Sequence, residues 1–300
     1  MEKPNFTIVG CGRLGTALGK HLSMAGYPLK GLTGGSLRSI QETARIIGTD
    51  KIYEVPWEIS RTSDVVFITT PDGVITRACR TLAENNGFKE GAIVLHCSGA
   101  HPSTILQPAQ KAKAMIGSMH PLQSFASKTT AGNPFAGIII SVEGVDTAVN
   151  VARRMADDLG AKCLTIPTAS KTLYHASAVV ASNYLVTLLE LAFKLIGTAG
   201  ISPDEAFGVL KPLVDGTLAN IRKTGIPEAL TGPIARGDME TVGRHVTEIM
   251  EKIPETAPLY GLLGIYTINI ALEKGTLNKD AAKALQKVLK EAVNTMPPGP

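Results

Sequence analysis

The sequence has no uninterrupted apolar run long enough to span a bilayer, and that absence argues against a membrane protein. Even its most apolar stretch, Ala176 to Ile196, is broken by Asn183, Glu190 and Lys194. Cysteine is scarce and scattered. Cys11, Cys79, Cys97 and Cys163 form no CxxC pair, so neither a zinc site nor a disulfide framework is indicated. A reduced, cytoplasmic setting follows from that usage. Charge of one sign is equally thin: 30 basic against 26 acidic residues leave +4, too little and too scattered for nucleic acid or a membrane surface. A small anionic molecule is the partner such a balance suits. The first apolar strand opens at Phe6, leaving no room for a signal peptide. No internal repeat or low-complexity segment is present, apart from a tail at Pro297 to Pro300 that is expected to fray.

What is present is an ordinary globular composition. With 44% hydrophobic and 19% charged residues, the 300-residue chain can bury one large core or two smaller ones. Strand patterns occur at Phe6 to Gly10, Leu29 to Thr33, Val65 to Thr70, Ile93 to His96, Ala114 to Met119, Gly137 to Val142 and Leu164 to Ile166. Between the earlier strands lie helical stretches such as Leu14 to Ala25 and Ser39 to Ile47. Continuous β-branched runs alternating with helices predict an α/β fold with a doubly wound, Rossmann-type parallel sheet. Beyond Pro167 the pattern turns helical, over roughly 170–198, 203–223, 238–251, 258–274 and 279–294. The expected organisation is a dinucleotide-binding domain at 1–166 and an all-helical substrate and dimerisation domain at 167–300.

The strongest chemical motif is Gly10-Cys11-Gly12-Arg13-Leu14-Gly15. It follows a predicted strand and opens a predicted helix, the context that gives a GxGxxG meaning. Gly10 permits the tight turn, Gly12 admits a pyrophosphate, and Gly15 allows close helix–strand packing. N–H groups at the helix start, on Arg13 and Leu14, then face the diphosphate. NAD sites carry an acid at the end of the second strand, on the ribose 2′-hydroxyl. Here that segment is Lys30-Gly31-Leu32-Thr33-Gly34-Gly35-Ser36-Leu37-Arg38, with no acid. Thr33, Ser36 and Arg38 can instead bind a 2′-phosphate, so NADP(H) is favoured, although Arg38 also reads as a solvated residue at a helix start.

Loops after the later strands should line the same crevice. They offer Thr70, Pro71 and Asp72, then Ser98 and Gly99, then His120. The Ser98-Gly99 turn can approach a flat ring such as nicotinamide. Asp72 reads as a helix cap and His96 as a packed, hydrogen-bonded histidine. His120, before a proline, can face substrate or cofactor.

Three runs occur in order: Met119-His120-Pro121-Leu122-Gln123-Ser124-Phe125, Tyr174 to Leu185, and Leu230-Thr231-Gly232-Pro233-Ile234-Ala235-Arg236-Gly237-Asp238. With them the chain resembles, over nearly its whole length, the NADP-dependent oxidoreductases that join a Rossmann-like domain to a helical domain of unknown function. It is more distantly similar to pyrroline-carboxylate reductases, ketopantoate reductases and β-hydroxyacid dehydrogenases. The resemblance implies a helical domain of the 6-phosphogluconate dehydrogenase C-terminal type, supplying substrate groups and a homodimer interface.

β-Hydroxyacid dehydrogenases carry a Lys four residues before an Asn on the first helix of that domain, but four before Asn183 stands Val179. On a regular helix His175 and Ser182 lie about 20° apart and Asn183 about 80° from His175, so His175 and Asn183 can reach one pocket. Hydride delivery to a carbonyl needs a proton donor and a group to hold the oxygen. His175 suits the first role, with Lys171 as a substitute, and Asn183 the second. A lone His and Asn on an apolar helix can also serve only core hydrogen bonding. Arg236 can clamp a substrate carboxylate or form a surface ion pair, and Asp238 is a credible N-cap. The expected function is NADP(H)-dependent hydride transfer to or from a small carboxylate with a carbonyl or imine, a ketopantoate-like 2-oxo acid being one candidate. The alternatives are a non-catalytic NADP(H)-binding sensor or scaffold and a deazaflavin-linked NADP reductase.

Overall fold

A computed structural model describes residues 2–129 and 131–295; the Pro297–Pro300 tail lies outside them. The chain divides into two compact units, Met1–Ala181 and Ser182–Pro300. The division thus falls beyond Pro167, and the helix that carries His175 belongs to the first unit.

The first unit is a seven-stranded sheet with helices on both faces. In chain order its elements are β1 (Phe6–Val9), α1 (Arg13–Met24), β2 (Leu29–Thr33), α2 (Leu37–Ile47), α3 (Pro56–Ser60), β3 (Val65–Ile68) and α4 (Asp72–Glu84). These are followed by β4 (Ile93–His96), α5 (Gln107–Lys111), β5 (Met115–Pro121), β6 (Ile139–Gly144), α6 (Asp146–Asp158), β7 (Lys162–Thr165) and α7 (Lys171–Val179). The strand order is β2-β1-β3-β4-β5-β6-β7. Alternate residues of each central strand feed opposite cores. Phe6, Ile8, Val65, Phe67 and Leu95 pack with α1 and α6, while Val9, Val66, Ile68 and Val94 pack with α4 and α5. Both faces are covered, which is why these strands read as unbroken apolar runs.

The sheet departs from the all-parallel expectation at one place. β5 and β6 pair antiparallel, from Gly117 opposite Gly144 to Pro121 opposite Ile140. Among the described residues no helix lies between them, and a return without a crossover helix reverses the strand. β5 also runs on through Pro121, so His120 sits inside a strand and is half-buried, not in a loop beyond its end.

The second unit is helical: α8 (Leu185–Thr198), α9 (Pro203–Thr224), α10 (Ile226–Ala229), α11 (Met239–Lys252), α12 (Ala257–Lys274) and α13 (Lys279–Val293). Caps define several ends. Asp238 accepts from the Thr241 N–H at 3.0 Å, and Asn278 accepts from those of Asp280 and Ala281. Gly275 closes α12 with a left-handed φ of 78°. Gly261 and Gly264 let α13 lie close to α12, for a Cβ on either would come within 2.6 Å of Leu289.

The single helix expected over 170–198 is interrupted. A π-turn at Val180–Tyr184 separates α7 from α8, so a constant 100° step does not carry from His175 to Asn183. By length and composition alone, the helical run Thr168–Thr198 is long and apolar enough to cross a membrane, contrary to the reading from its charged residues; an 18-residue window within it has a mean hydropathy of 1.6.

Candidate active site

The order β2-β1-β3 places a switch point at β1 and β3, where the connections leave in opposite directions. Ligands of open α/β sheets bind outside the carboxyl ends of strands at such a point. A cleft of about 500 Å³ lies there. Gly10, Gly12, Arg13 and Leu14 line it after β1, Ser36 after β2, Thr70 and Pro71 after β3, and Ser98 after β4. The sequence motif and the later loops thus meet in one place.

Each glycine of the motif has its own geometry. Gly10 has φ +117°, and a Cβ there would stand 2.7 Å from the Thr69 backbone. A Cβ on Gly15 would stand 2.1 Å from the Gly10 carbonyl oxygen, so Gly15 serves packing and does not line the cleft. Gly12 has nothing within 4 Å of a Cβ position. It is an open cradle at the N-terminus of α1, where no side chain caps the first N–H groups. The buried Thr70 Oγ1 likewise has no partner among the described residues. An unfilled cradle, free helix N–H groups and an orphan hydroxyl fit the diphosphate of a dinucleotide.

The segment after β2 corrects part of the expectation. Thr33 is wholly buried within the sheet, so its hydroxyl cannot meet a ribose phosphate at the surface. Arg38 is exposed in the first turn of α2 but does not line the cleft. Gly34, Gly35, Ser36 and Ser39 do line it, beside Arg13. Lys128, unmarked by any sequence signal, donates to Ser39 Oγ at 3.0 Å and pairs with Glu42 at 2.9 Å. Cys11 lines the cleft as a thiol, and burial pushes it up to about 11, so it stays protonated. Asp72 is the first residue of α4 and not its cap, and it makes no capping hydrogen bond.

The β4 turn leads to the second half of the site. Ser98 Oγ accepts from the N–H groups of Ala100 and His101, at 3.2 and 3.1 Å, and fixes the turn. At Gly99 a Cβ would stand 2.5 Å from His175 Nδ1 and 2.7 Å from His120 Nε2. The two rings meet nearly edge to face, 6.1 Å apart. Only glycine fits between them. Tyr174 stands edge-on to His120, with its Oη 3.5 Å from His120 Nδ1. Burial, and then the charge of Lys171, push His120 down to about 4, so it is neutral near pH 7. His175 Nδ1 is buried without a partner among the described residues. His96 is a packed histidine, as expected: its Nδ1 accepts from the Ser98 N–H at 3.1 Å, and burial pushes it down to about 3.

Lys171, the suggested substitute donor, is among the largest fully buried side chains, and it points to Ser118 and Glu143. Asn183 and Arg236 belong to the second unit, where both are exposed. Arg236 stands near Asp238, and its charge is one of the causes, after the hydrogen bonds from Thr241, that lower that carboxyl.

The fold and this cleft define an α/β protein with a Rossmann-type sheet and a helical C-terminal unit. Residues 2–121 match the family described as a Rossmann-like domain, and residues 138–267 match the domain of unknown function DUF2520. The chain thus carries a Rossmann-like domain followed by a DUF2520 domain. No curated protein matches the sequence. Among solved structures, the chain is similar to a proposed NADP oxidoreductase from Bacteroides fragilis, with 21% identity and TM-score 0.72 over 89% of this chain and 98% of the other. It is similar to a protein from Thermotoga maritima with 25% identity and TM-score 0.66, over 93% and 98% of the two chains. An imine reductase from a Pseudomonas species shares the fold at 17% identity and TM-score 0.60, over 98% and 94%.

Proposed function

We propose that this chain is an NADPH-dependent reductase of a small carboxylate bearing a carbonyl or imine. The observation that carries the reading is the cleft at the switch point, open at Gly12 and without an acid at the end of β2. Arg13, with Arg38 nearby in sequence and Lys128 bonded to Ser39, supplies positive charge on the side where a 2′-phosphate would lie. Bound NADPH would supply the hydride. The chain's own residues would supply the proton and hold the oxygen or nitrogen that receives it. His175, with a free ring nitrogen beside Gly99, is the proposed proton donor. His120 is neutral near pH 7, which suits a hydrogen-bond donor to the developing charge better than an acid. The kinship of fold with an imine reductase supports including imines among the substrates. Assembly as a homodimer through the helical unit and a cytoplasmic setting are part of the same proposal.

NADPH is expected to bind at least about tenfold tighter than NADH, a difference of about 1.4 kcal/mol. Titration of both against the purified protein reads this directly, and equal affinities would refute it. A screen of 2-oxo and imino acids, following NADPH absorbance, then tests turnover. With an active acid in hand, His175→Ala should retain NADPH affinity and lose roughly a hundredfold or more in kcat, the contribution expected of a general acid. A loss within about threefold would remove His175 from the role. Asn183→Ala and Arg236→Ala test the roles expected of those residues from the sequence: lower kcat for the first, higher KM for the second. Tight NADPH binding without turnover of any acid would favour the sensor.

A further inference from the structure

Elsewhere in the first unit, helices meet the sheet through apolar side chains. α7 does not. Along β5, Ser118 and His120 share one face, and in register opposite them on β6 stand Glu143 and Ser141. Ser118, Ser141 and Glu143 are almost completely buried. On α7, Lys171, Tyr174 and His175 occupy positions i, i+3 and i+4, one face of the helix. The seam between them is polar throughout, which packing alone would not select.

At one end of this seam lies a buried ion pair. Lys171, 1% exposed, donates to Ser118 Oγ and stands 3.7 Å from Glu143 Oε1. Glu143 also accepts from the Ser103 N–H and Oγ, both at 2.7 Å, and from Thr168 Oγ1 at 2.9 Å. One carboxylate therefore ties together the segment after β4, the turn before α7 and, through Lys171, α7 itself. Two residues along β5 from Ser118 is His120. One helical turn from Lys171 is His175.

We infer that the Lys171–Glu143 couple is a positioning device, holding His120 and His175 against Gly99. Lys171 and Glu143 are 1% and 2% exposed and are engaged with Ser118, Ser103 and Thr168, so both act through the imidazoles and not on substrate. Buried pairs add little net stability, because desolvation offsets their attraction, whereas their directional bonds fix one registry. The consequence for turnover rests on the proposed reductase reading; the placement of the two imidazoles does not.

The experiment uses the full chain with ¹⁵N-labelled histidine and reads imidazole resonances against pH. The charges facing His120 are Lys171 and His175 on α7 and Asp72 at the start of α4, with the Tyr174 hydroxyl beside it. In Lys171→Met, the His120 and His175 resonances should move, and His120 should take its proton about one pH unit or more closer to its ordinary value, a tenfold change in affinity. Lys171→Arg should restore much of the wild-type pattern. NADPH affinity should stay within about threefold, below the tenfold step that 1.4 kcal/mol represents. Should Lys171→Met not fold, the double variant Lys171→Met/Glu143→Leu leaves no unpaired charge and gives the same reading. A folded variant whose histidine resonances and titrations match wild type overturns the proposal. Failure of the wild type to bind NADPH would defeat the reductase reading while leaving this result intact, since the imidazole readout needs no cofactor.

Discussion

At the scale of single residues, the glycines of the first turn do different work, and substitution separates them. Gly12 faces open space with an ordinary φ of −79°, so Gly12→Ala meets nothing in the protein. The methyl would occupy the cradle proposed for the diphosphate. Gly12→Ala is therefore expected to keep or slightly raise thermal stability, by about 0.4–1 kcal/mol from the unfolded chain's lost freedom. It should weaken NADPH binding about tenfold or more, at 1.4 kcal/mol per decade. Gly15→Ala should do the reverse in kind: its methyl collides with the Gly10 carbonyl and Thr69, so the native state itself is strained. Calorimetry and NADPH titration on both variants check the contrast. Unchanged NADPH affinity in Gly12→Ala would move the diphosphate elsewhere.

Three histidines are depressed by burial, His21, His96 and His120, and the last two, which it moves furthest, set a pH dependence. An unfolded imidazole takes its proton near pH 6.5. In the native state, burial holds His120 down to about 4 and His96 to about 3, with the Lys171 charge as the second cause for both. Between those values the unfolded chain binds protons that the native chain refuses. Stability is therefore fully present above about pH 6.5 and falls as pH drops toward 4, by up to about 1.4 kcal/mol per pH unit for each histidine. Urea midpoints between pH 7 and 4.5 should decline accordingly, and His120→Gln should flatten the slope. A midpoint indifferent to pH over that range would contradict the burial of both rings.

At the scale of elements, most of the first unit was legible, because local signals and tertiary burial agree there. The βαβ opening, the Gly-rich turn and the apolar strands are short-range patterns that the sheet then buries on both faces. Asp238 was legible as a helix start for the same reason, and the helix expected from residue 279 opens on Asn278, whose side chain accepts from the N–H groups of Asp280 and Ala281. Asn278→Ala should accordingly cost about 1 kcal/mol, seen as a lower Tm with α13 otherwise intact. A Tm equal to wild type would show that α13 is held by packing on α12 alone. What the sequence hid was long-range. The polar pair on β5 and its partners on β6 come together only through an antiparallel pairing that the βαβ rhythm does not predict. Ser118 and His120, two apart in an otherwise apolar strand, were the one local hint. Lys171 reads in the sequence as a substitute proton donor, and its burial depends on Glu143, remote in sequence. The π-turn at Val180–Tyr184 left no mark in composition, so the angular argument from His175 to Asn183 assumed a regularity that the helix lacks.

At the scale of the whole molecule, the proposed dimer rests on a different surface from the one the sequence suggests. In sequence, the run Leu259 to Ile270 of α12 is apolar all round, and a helix of that kind must be covered. Its glycines instead pack it on α13, and much of its apolar surface is used within its own unit. Tyr266 and Leu262 of α12 are also exposed, but more of this unit's large exposed apolar residues lie on α8 and α9, among them Val186 at 68%, Phe207 at 55% and Leu213 at 68%. Contiguous exposed side chains of this kind mark an interaction surface. A bilayer and a second copy both answer to that description. α8 carries the Glu190–Lys194 pair at 3.0 Å and α9 the Lys211–Asp215 pair, charges that a hydrocarbon core would have to desolvate and a protein interface can leave at its rim. A symmetric dimer through α8 and α9 is therefore expected at micromolar concentration. Phe207→Glu combined with Leu213→Glu should shift light scattering to monomer mass, because a charge buried without a partner at an interface costs several kcal/mol. Wild type that is monomeric, or that sediments with lipid vesicles in place of self-associating, would defeat the dimer and return the apolar run of α8 to the membrane.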